Sequence, residues 1–296
     1  MNGRKCVFVL GAGASQPYGF PLGDQLREEI IKGTDNKTEG MFDRLLKMGF
    51  RADHIKNFQK RFIEACVPTI DRFMQHENES QNKLLAKCCI AISLLSKEHP
   101  ENLDKMDWYS HIFNLIFNCP FEDIINKPIS FVTFNYERSL EQFLFKTGCA
   151  LYNKDPKIVA SVINRIPIYH VYGKLGNLPW QGSELTVDYT SQEINNHFLV
   201  KEAANNIRIA YENAVPSEIQ LARSLITEAD LIFFIGFKYD PFNIQQLPFK
   251  HSNADLVGTC YRMTKRQKER TLDLLPINPD WFLDNNADNA VREFFG

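Results

Sequence analysis

The sequence predicts an α/β fold, a doubly wound parallel sheet, on three observations. Cys6-Val-Phe-Val-Leu10, Ile129-Ser-Phe-Val-Thr133, Ile168-Tyr-His-Val171 and Leu231-Ile-Phe-Phe-Ile235 are apolar on both faces, as parallel strands covered by helices must be. Segments with helical apolar spacing alternate with them. Three of the four strands empty into a glycine turn, at Gly11, Gly173 and Gly236.

The first strand ends in Gly11-Ala12-Gly13-Ala14-Ser15. Gly11 suits a tight strand-to-helix turn, and Gly13 has no Cβ to block the approach of a pyrophosphate. A helix is expected over Gly23 to Gly33. From Thr34 to Lys127 the strand signal vanishes, and Met41 to Phe50, His54 to Cys66, Asn82 to Ser96 and Trp108 to Asn118 show helical spacing. The expected organisation is therefore one domain over 1–296, with a Rossmann-like core in 1–33 and 128–296 and a helical insertion in 34–127. Such an insertion can cap the crevice at the carboxyl ends of the strands. Further helices are expected over Glu137 to Lys146, Ser217 to Glu228 and Met263 to Leu275, with a fifth strand over Asp255 to Cys260. Asp284 to Asn289 reads as a loop before a short terminal helix.

Composition narrows the function. The 34 basic and 36 acidic residues nearly cancel, so the basic footprint of a dedicated nucleic-acid binder is missing. Seven scattered cysteines contain no C-x-x-C pair, which supports neither a zinc ribbon nor a disulfide framework, and no metal is expected. No apolar run approaches the roughly 18 residues of a membrane span, and Cys6 to Leu10 is too short for a signal peptide. A cytoplasmic location is expected. The full G-x-G-x-x-G pattern is missing and no acidic residue ends an evident second strand about 20 positions later, so dehydrogenase-style NAD binding is unsupported; no Walker lysine pattern is present either.

Candidate chemistry lies at the strand ends. Asn135 either caps the following helix or offers its carboxamide to a ribose hydroxyl or a water. His170 is either a satisfied edge residue or a neutral imidazole that can take a proton from a sugar hydroxyl. Asp240, followed by Pro241, suits a helix cap. Lys174 is either solvated or within reach of a phosphate.

Together Gly11-Ala-Gly-Ala-Ser15, Thr133-Phe134-Asn135-Tyr136, His170-Val-Tyr-Gly173 and Ile235-Gly236-Phe237 resemble the ordered motifs of the sirtuin-like superfamily, and more nearly its bacterial antiphage NAD-hydrolase branch. Tyr18-Gly-Phe-Pro21, Ile70-Asp71-Arg-Phe73 and the Asp240 and Asn243 pair add to the resemblance. It implies NAD as substrate, with nicotinamide and ADP-ribose as products. It makes Gly11 to Ser15 the pyrophosphate and adenosine-side turn, Asn135 the ribose or water-positioning residue, and His170 the base. Thr133, Phe134, Tyr136, Gly173, Gly236 and Phe237 would border NAD, while Pro21, Asp71, Asp240 and Asn243 would support the site. Glu137 stands where that family usually has aspartate, and the four-cysteine zinc module of the deacylating sirtuins has no equivalent. The resemblance also implies an off state relieved by oligomerisation, a nucleotide signal or a separately encoded partner such as a nucleotide-processing enzyme or translocase. The competing readings are a regulatory subunit that binds NAD or ADP-ribose without hydrolysis, and a deacylase or ADP-ribosyl transferase.

Overall fold

A computed structural model describes residues 3–35, 40–209 and 217–295. Its centre is one parallel sheet of β1 (Cys6–Leu10), β2 (Ile129–Thr133), β3 (Ile168–His170), β4 (Leu231–Ile235), β5 (Asp255–Thr259) and β6 (Phe282–Leu283), in the order β3-β2-β1-β4-β5-β6. This is a Rossmann-like doubly wound α/β sheet. Its strand order reverses between β1 and β4, which is where such sheets open a crevice beyond their carboxyl ends. Leu10 lies level with Thr133 on one side and Ile235 on the other, and Thr133 with His170. Gly11, Phe134, Val171 and Gly236 therefore leave the sheet side by side.

Every residue of β1, β2 and β4 is buried, so the apolar runs reflect cover on both faces. On one face Phe8 stacks on Phe131 at 5.5 Å between ring centroids, and Phe295 of the terminal helix Ala287–Phe295 closes over Phe8 and Phe233. On the other, Phe234 meets Phe249 edge-on at 5.0 Å. Each such ring removes some 150–250 Å² from water, which makes these contacts the main local stabilisation.

Between β1 and β2 run the helices Gly23–Gly33, Met41–Lys47, Ala52–Glu64, Ile70–Met74, Ser80–Leu95 and Trp108–Phe117. Residues 34–127 contain no strand among those described. Ser80–Leu95 is buried along almost its whole second half, because Cys-Cys-Ile-Ala-Ile-Ser-Leu-Leu leaves no polar face to give to water.

Some boundaries depart from the sequence reading. The helix after Asn135 spans Ser139–Tyr152 and ends at Asn153 in the left-handed region, φ 47°, a conformation that asparagine tolerates better than most residues. The terminal helix begins at Ala287, inside the segment expected to be a loop. β6 has only two residues, too few to leave a pattern. Helices Pro156–Ile163 and His197–Asn206 were not anticipated. Among the described residues no helix is long and apolar enough to cross a membrane.

Candidate active site

The two glycine turns at the switch point interlock. Gly11 N donates to Ile235 O and Gly13 N to Gly236 O, both at 3.0 Å. A Cβ on Gly11 would lie 2.6 Å from Gly236 O, and one on Gly13 2.9 Å from Gly236 Cα. At Gly236, with φ +59°, it would lie 2.0 Å from Ala14 N. The space left by the missing side chains is thus filled by the crossing of two backbones, where the sequence reading gave the space at Gly13 to a pyrophosphate. After Gly11 a single helical turn, Ala12–Ser15, runs into Gln16–Tyr18. Trp108 Nε1 donates to Ala14 O at 2.9 Å, and Tyr18 stacks on Tyr109 at 4.0 Å. Pro21 is buried at the entry to Gly23–Gly33.

Asn135 does not cap the following helix. Arg138 holds the cap position, and Glu137 Oε2 takes the Ser139 amide at 2.6 Å. Asn135 Nδ2 instead donates to Gly11 O at 3.1 Å and Ser15 Oγ at 3.0 Å, with Glu137 Oε1 at 3.5 Å. Ser15 Oγ in turn donates to Glu137 Oε1. A backbone carbonyl can only accept, so Gly11 O fixes which end of the carboxamide carries the NH₂. Asn135 Oδ1 is the acceptor left over.

Around it, Thr133 Oγ1 accepts from Asn135 N at 3.0 Å. The Phe134 ring packs on Phe237 at 4.9 Å and Tyr172 at 5.8 Å. Tyr136 Oη donates to Arg208 O at 2.8 Å and lies 3.4 Å from Asp71 Oδ1. Asp71 thereby joins the helix Ile70–Met74 to the Asn135 loop.

His170 closes β3, with its side chain only 5% exposed. Its Nδ1 lies 2.8 Å from Asn135 O and its Nε2 3.0 Å from Glu141 Oε1. The carbonyl requires a proton on Nδ1, and a carboxylate at Nε2 requires a second. Burial alone would raise Glu141, but the charges of His170 and then Lys174 outweigh it and bring its carboxyl down to about 2. Lys174 Nζ stands 3.5 Å from the same oxygen and donates to Gln181 Oε1 at 3.1 Å. The ring thus fits its surroundings as an imidazolium.

One turn away, fully buried Arg138 forks onto Glu98, with Nε to Oε1 at 3.1 Å and Nη2 to Oε2, and donates from Nη1 to Val187 O at 2.6 Å. Burial pushes the Glu98 carboxyl up to about 7, Arg138 opposing and Glu137 and Glu141 adding to the rise.

The remaining candidates are placed as follows. Tyr172 Oη donates to Asn243 Oδ1 at 2.6 Å, tying the β3 turn to the helix Pro241–Gln246. Asp240 is exposed and caps that helix through Phe242 N at 2.9 Å. A Cβ on Gly173 would strike Asn206 O at 2.1 Å, so a neighbouring chain segment accounts for that glycine. The motifs from all four strand ends therefore meet, with Asp240 at their margin. Glu141 and Glu98 went unassigned in the sequence. Glu141 lies four residues from Glu137, a spacing that shares a face of the helix expected over Glu137 to Lys146, although the helix starts at Ser139 and leaves Glu137 outside it; Glu98 carries no comparable signal.

An open depression of about 370 Å³, lined by Gly3, Arg4, Asp230, Asn253 and Asp255, lies at the opposite, amino ends of the strands. Arg4 there pairs with Asp255 in solvent, and none of the candidate residues reaches it. Among the described residues, no group of three or more His, Cys, Asp or Glu side chains is arranged to hold a metal ion.

No family model and no curated protein sequence matches the chain. Among solved structures it is similar to Sir2 in complex with the inhibitor EX-527, 2'-O-acetyl-ADP-ribose and a deacetylated p53 peptide. The identity is 14% and the TM-score 0.43, over 98% of this chain and 92% of that one.

Proposed function

We propose that the chain hydrolyses NAD at the bond between nicotinamide and ribose, and that it is an NAD-depleting antiphage effector held inactive until triggered. One observation carries the reading: Asn135 and His170, from adjacent strand ends, meet beside the interlocked glycine turns at the switch point of the sheet. Nicotinamide leaves a cationic precursor as a neutral molecule, so the departing group needs no acid. Water adds to the oxocarbenium-like ribose, one proton is released, and ADP-ribose results. Asn135 Oδ1, with its Nδ2 anchored, is the acceptor for the water or a ribose hydroxyl. His170 withdraws the proton once one ring nitrogen has lost its partner and given its own proton to water, and a positioned base of this kind contributes on the order of 10²–10⁴-fold.

The buried ring with both nitrogens engaged supports a resting state that must open before catalysis. Oligomerisation or a separately encoded regulator would supply that opening. The test follows nicotinamide by chromatography over a protein concentration series with NAD, with His170→Ala and Asn135→Ala beside the wild type. Turnover lost in both variants supports hydrolysis at this site. Unchanged turnover in them displaces the site, and tight NAD binding without turnover under any trigger supports the regulatory subunit instead.

A further inference from the structure

We propose that Glu141 is a positioning residue of this site, acting through His170 by fixing the ring's orientation and holding its second proton. The inference rests on His170 being the base of the reaction above.

The geometry is specific. His170 has two ring nitrogens and two partners from different elements, Asn135 O on the link after β2 and Glu141 Oε1 on the helix Ser139–Tyr152. The two bonds together forbid rotation of the ring about its own axis. Glu141 is itself buried, 4% exposed at its side chain, and Lys174 reaches the same oxygen from the loop after β3. The other charged groups close by are turned elsewhere. Glu137 faces Ser15, Asn135 and Ser139; Arg138 faces Glu98. Arg208, beside the β3 turn, donates to Val171 O. Glu141 is thus the acid in hydrogen-bond contact with the imidazole.

Two consequences follow. Asn135 O can be exchanged for a donating substrate hydroxyl at Nδ1 once that nitrogen has given its proton to water, while Glu141 keeps the other side of the ring fixed. A proton taken up at Nδ1 would leave the ring as it stands now, charged and paired with Glu141, so the carboxylate stabilises the product of proton transfer.

The experiment combines a spectroscopic and a kinetic readout on the full chain. In ¹⁵N-histidine-labelled wild type near pH 7, NMR should show both His170 nitrogens protonated, with the resonances assigned by their loss in His170→Ala. In Glu141→Gln one of those protons should be lost at the same pH. A singly protonated wild-type ring, or an unchanged ring in the variant, overturns the proposal. In nicotinamide release, Glu141→Gln should lower kcat on the order of 10²-fold with KM nearly unchanged. Glu141→Asp retains the charge but withdraws it by one methylene. It should keep the doubly protonated ring and still lose kcat, and it decides the matter if the glutamine variant fails to fold. Full kcat in the folded variants of a turning-over enzyme overturns the proposal. If the ring signals behave as stated and no form of the protein releases nicotinamide, the NAD-hydrolase reading fails while Glu141 stands as the residue that orients and charges His170.

Discussion

His170 Nδ1 donates to the main-chain carbonyl of Asn135 at 2.8 Å, so the two candidate catalytic residues are joined through backbone and not through the carboxamide. Asn135→Ala should therefore leave His170 in place. It removes the Oδ1 acceptor and the Nδ2 bonds to Gly11 O and Ser15 Oγ, with an expected stability loss of about 1 kcal/mol. Nicotinamide release should fall on the order of 10²-fold while the His170 ring signals in NMR keep their wild-type positions. Ring signals that shift with the substitution would mean that the carboxamide, and not the carbonyl, orders the histidine.

Gly236→Ala tests the interlocked turns. The substitution places a methyl about where Ala14 N and Gly13 C now sit, at 2.0 and 2.3 Å, on a residue with φ +59°. The left-handed conformation alone costs roughly 1–2 kcal/mol for a residue with a Cβ, and the clash is with backbone that cannot rotate away. A loss of more than about 2 kcal/mol in urea unfolding is expected. Gly182→Ala is the control: it is also left-handed, at φ +76°, but a Cβ there meets nothing within 4 Å. Equal losses in the two would show that the dihedral, and not the crossing of the loops, decides the cost.

β1, β2 and β4 were legible because each is buried throughout and mostly apolar; β3, partly exposed at Ile168 and Tyr169, and β5, which opens on Asp255, show the pattern less, and β6, with Phe282 and Leu283 alone, shows none. The positions of the candidate residues at the strand ends were legible for the same reason, since a strand that stops abruptly announces where its last side chains emerge. What could not be read was which partner each would find. Asn135 had the right type and place for a helix cap, yet Glu137 took the amide and freed the carboxamide for Gly11 and Ser15. Gly13 and Gly236 stand 223 positions apart, and only the β1 and β4 pairing reveals that each needs the other to be glycine. Arg138 gave no sign of its burial, because Glu98 reaches it from a distant part of the chain.

Acid stability should report Glu141. Its carboxyl is held at about 2, below the ordinary 4.5, so between those values the folded chain binds fewer protons there than the unfolded one. The stability it contributes is then complete above about pH 4.5 and is lost as pH falls toward about 2. Urea unfolding at a series of pH values should show wild type well above Glu141→Gln at neutral pH, with the gap closing through that window. A gap that stays constant down to about pH 2 would mean that the charge on Glu141 is not what stabilises the fold.

The Arg138 and Glu98 pair sets a harsher test, because both side chains are fully buried and each is the other's main compensation. Arg138→Met leaves Glu98 as an acid in an apolar setting beside Glu137 and Glu141, whose charges already raise it. It also strips the donor from Val187 O. Breaking one side of a buried pair costs about 3–5 kcal/mol, whereas replacing both partners by apolar groups of similar volume is often near neutral. Arg138→Met should accordingly lose about that much in urea unfolding, and adding Glu98→Leu should recover most of it. If the double variant is no more stable than the single one, the loss comes from the severed Val187 and Asp188 carbonyl bonds. The guanidinium would then matter as the clasp on that loop, and the buried acid it neutralises would be incidental.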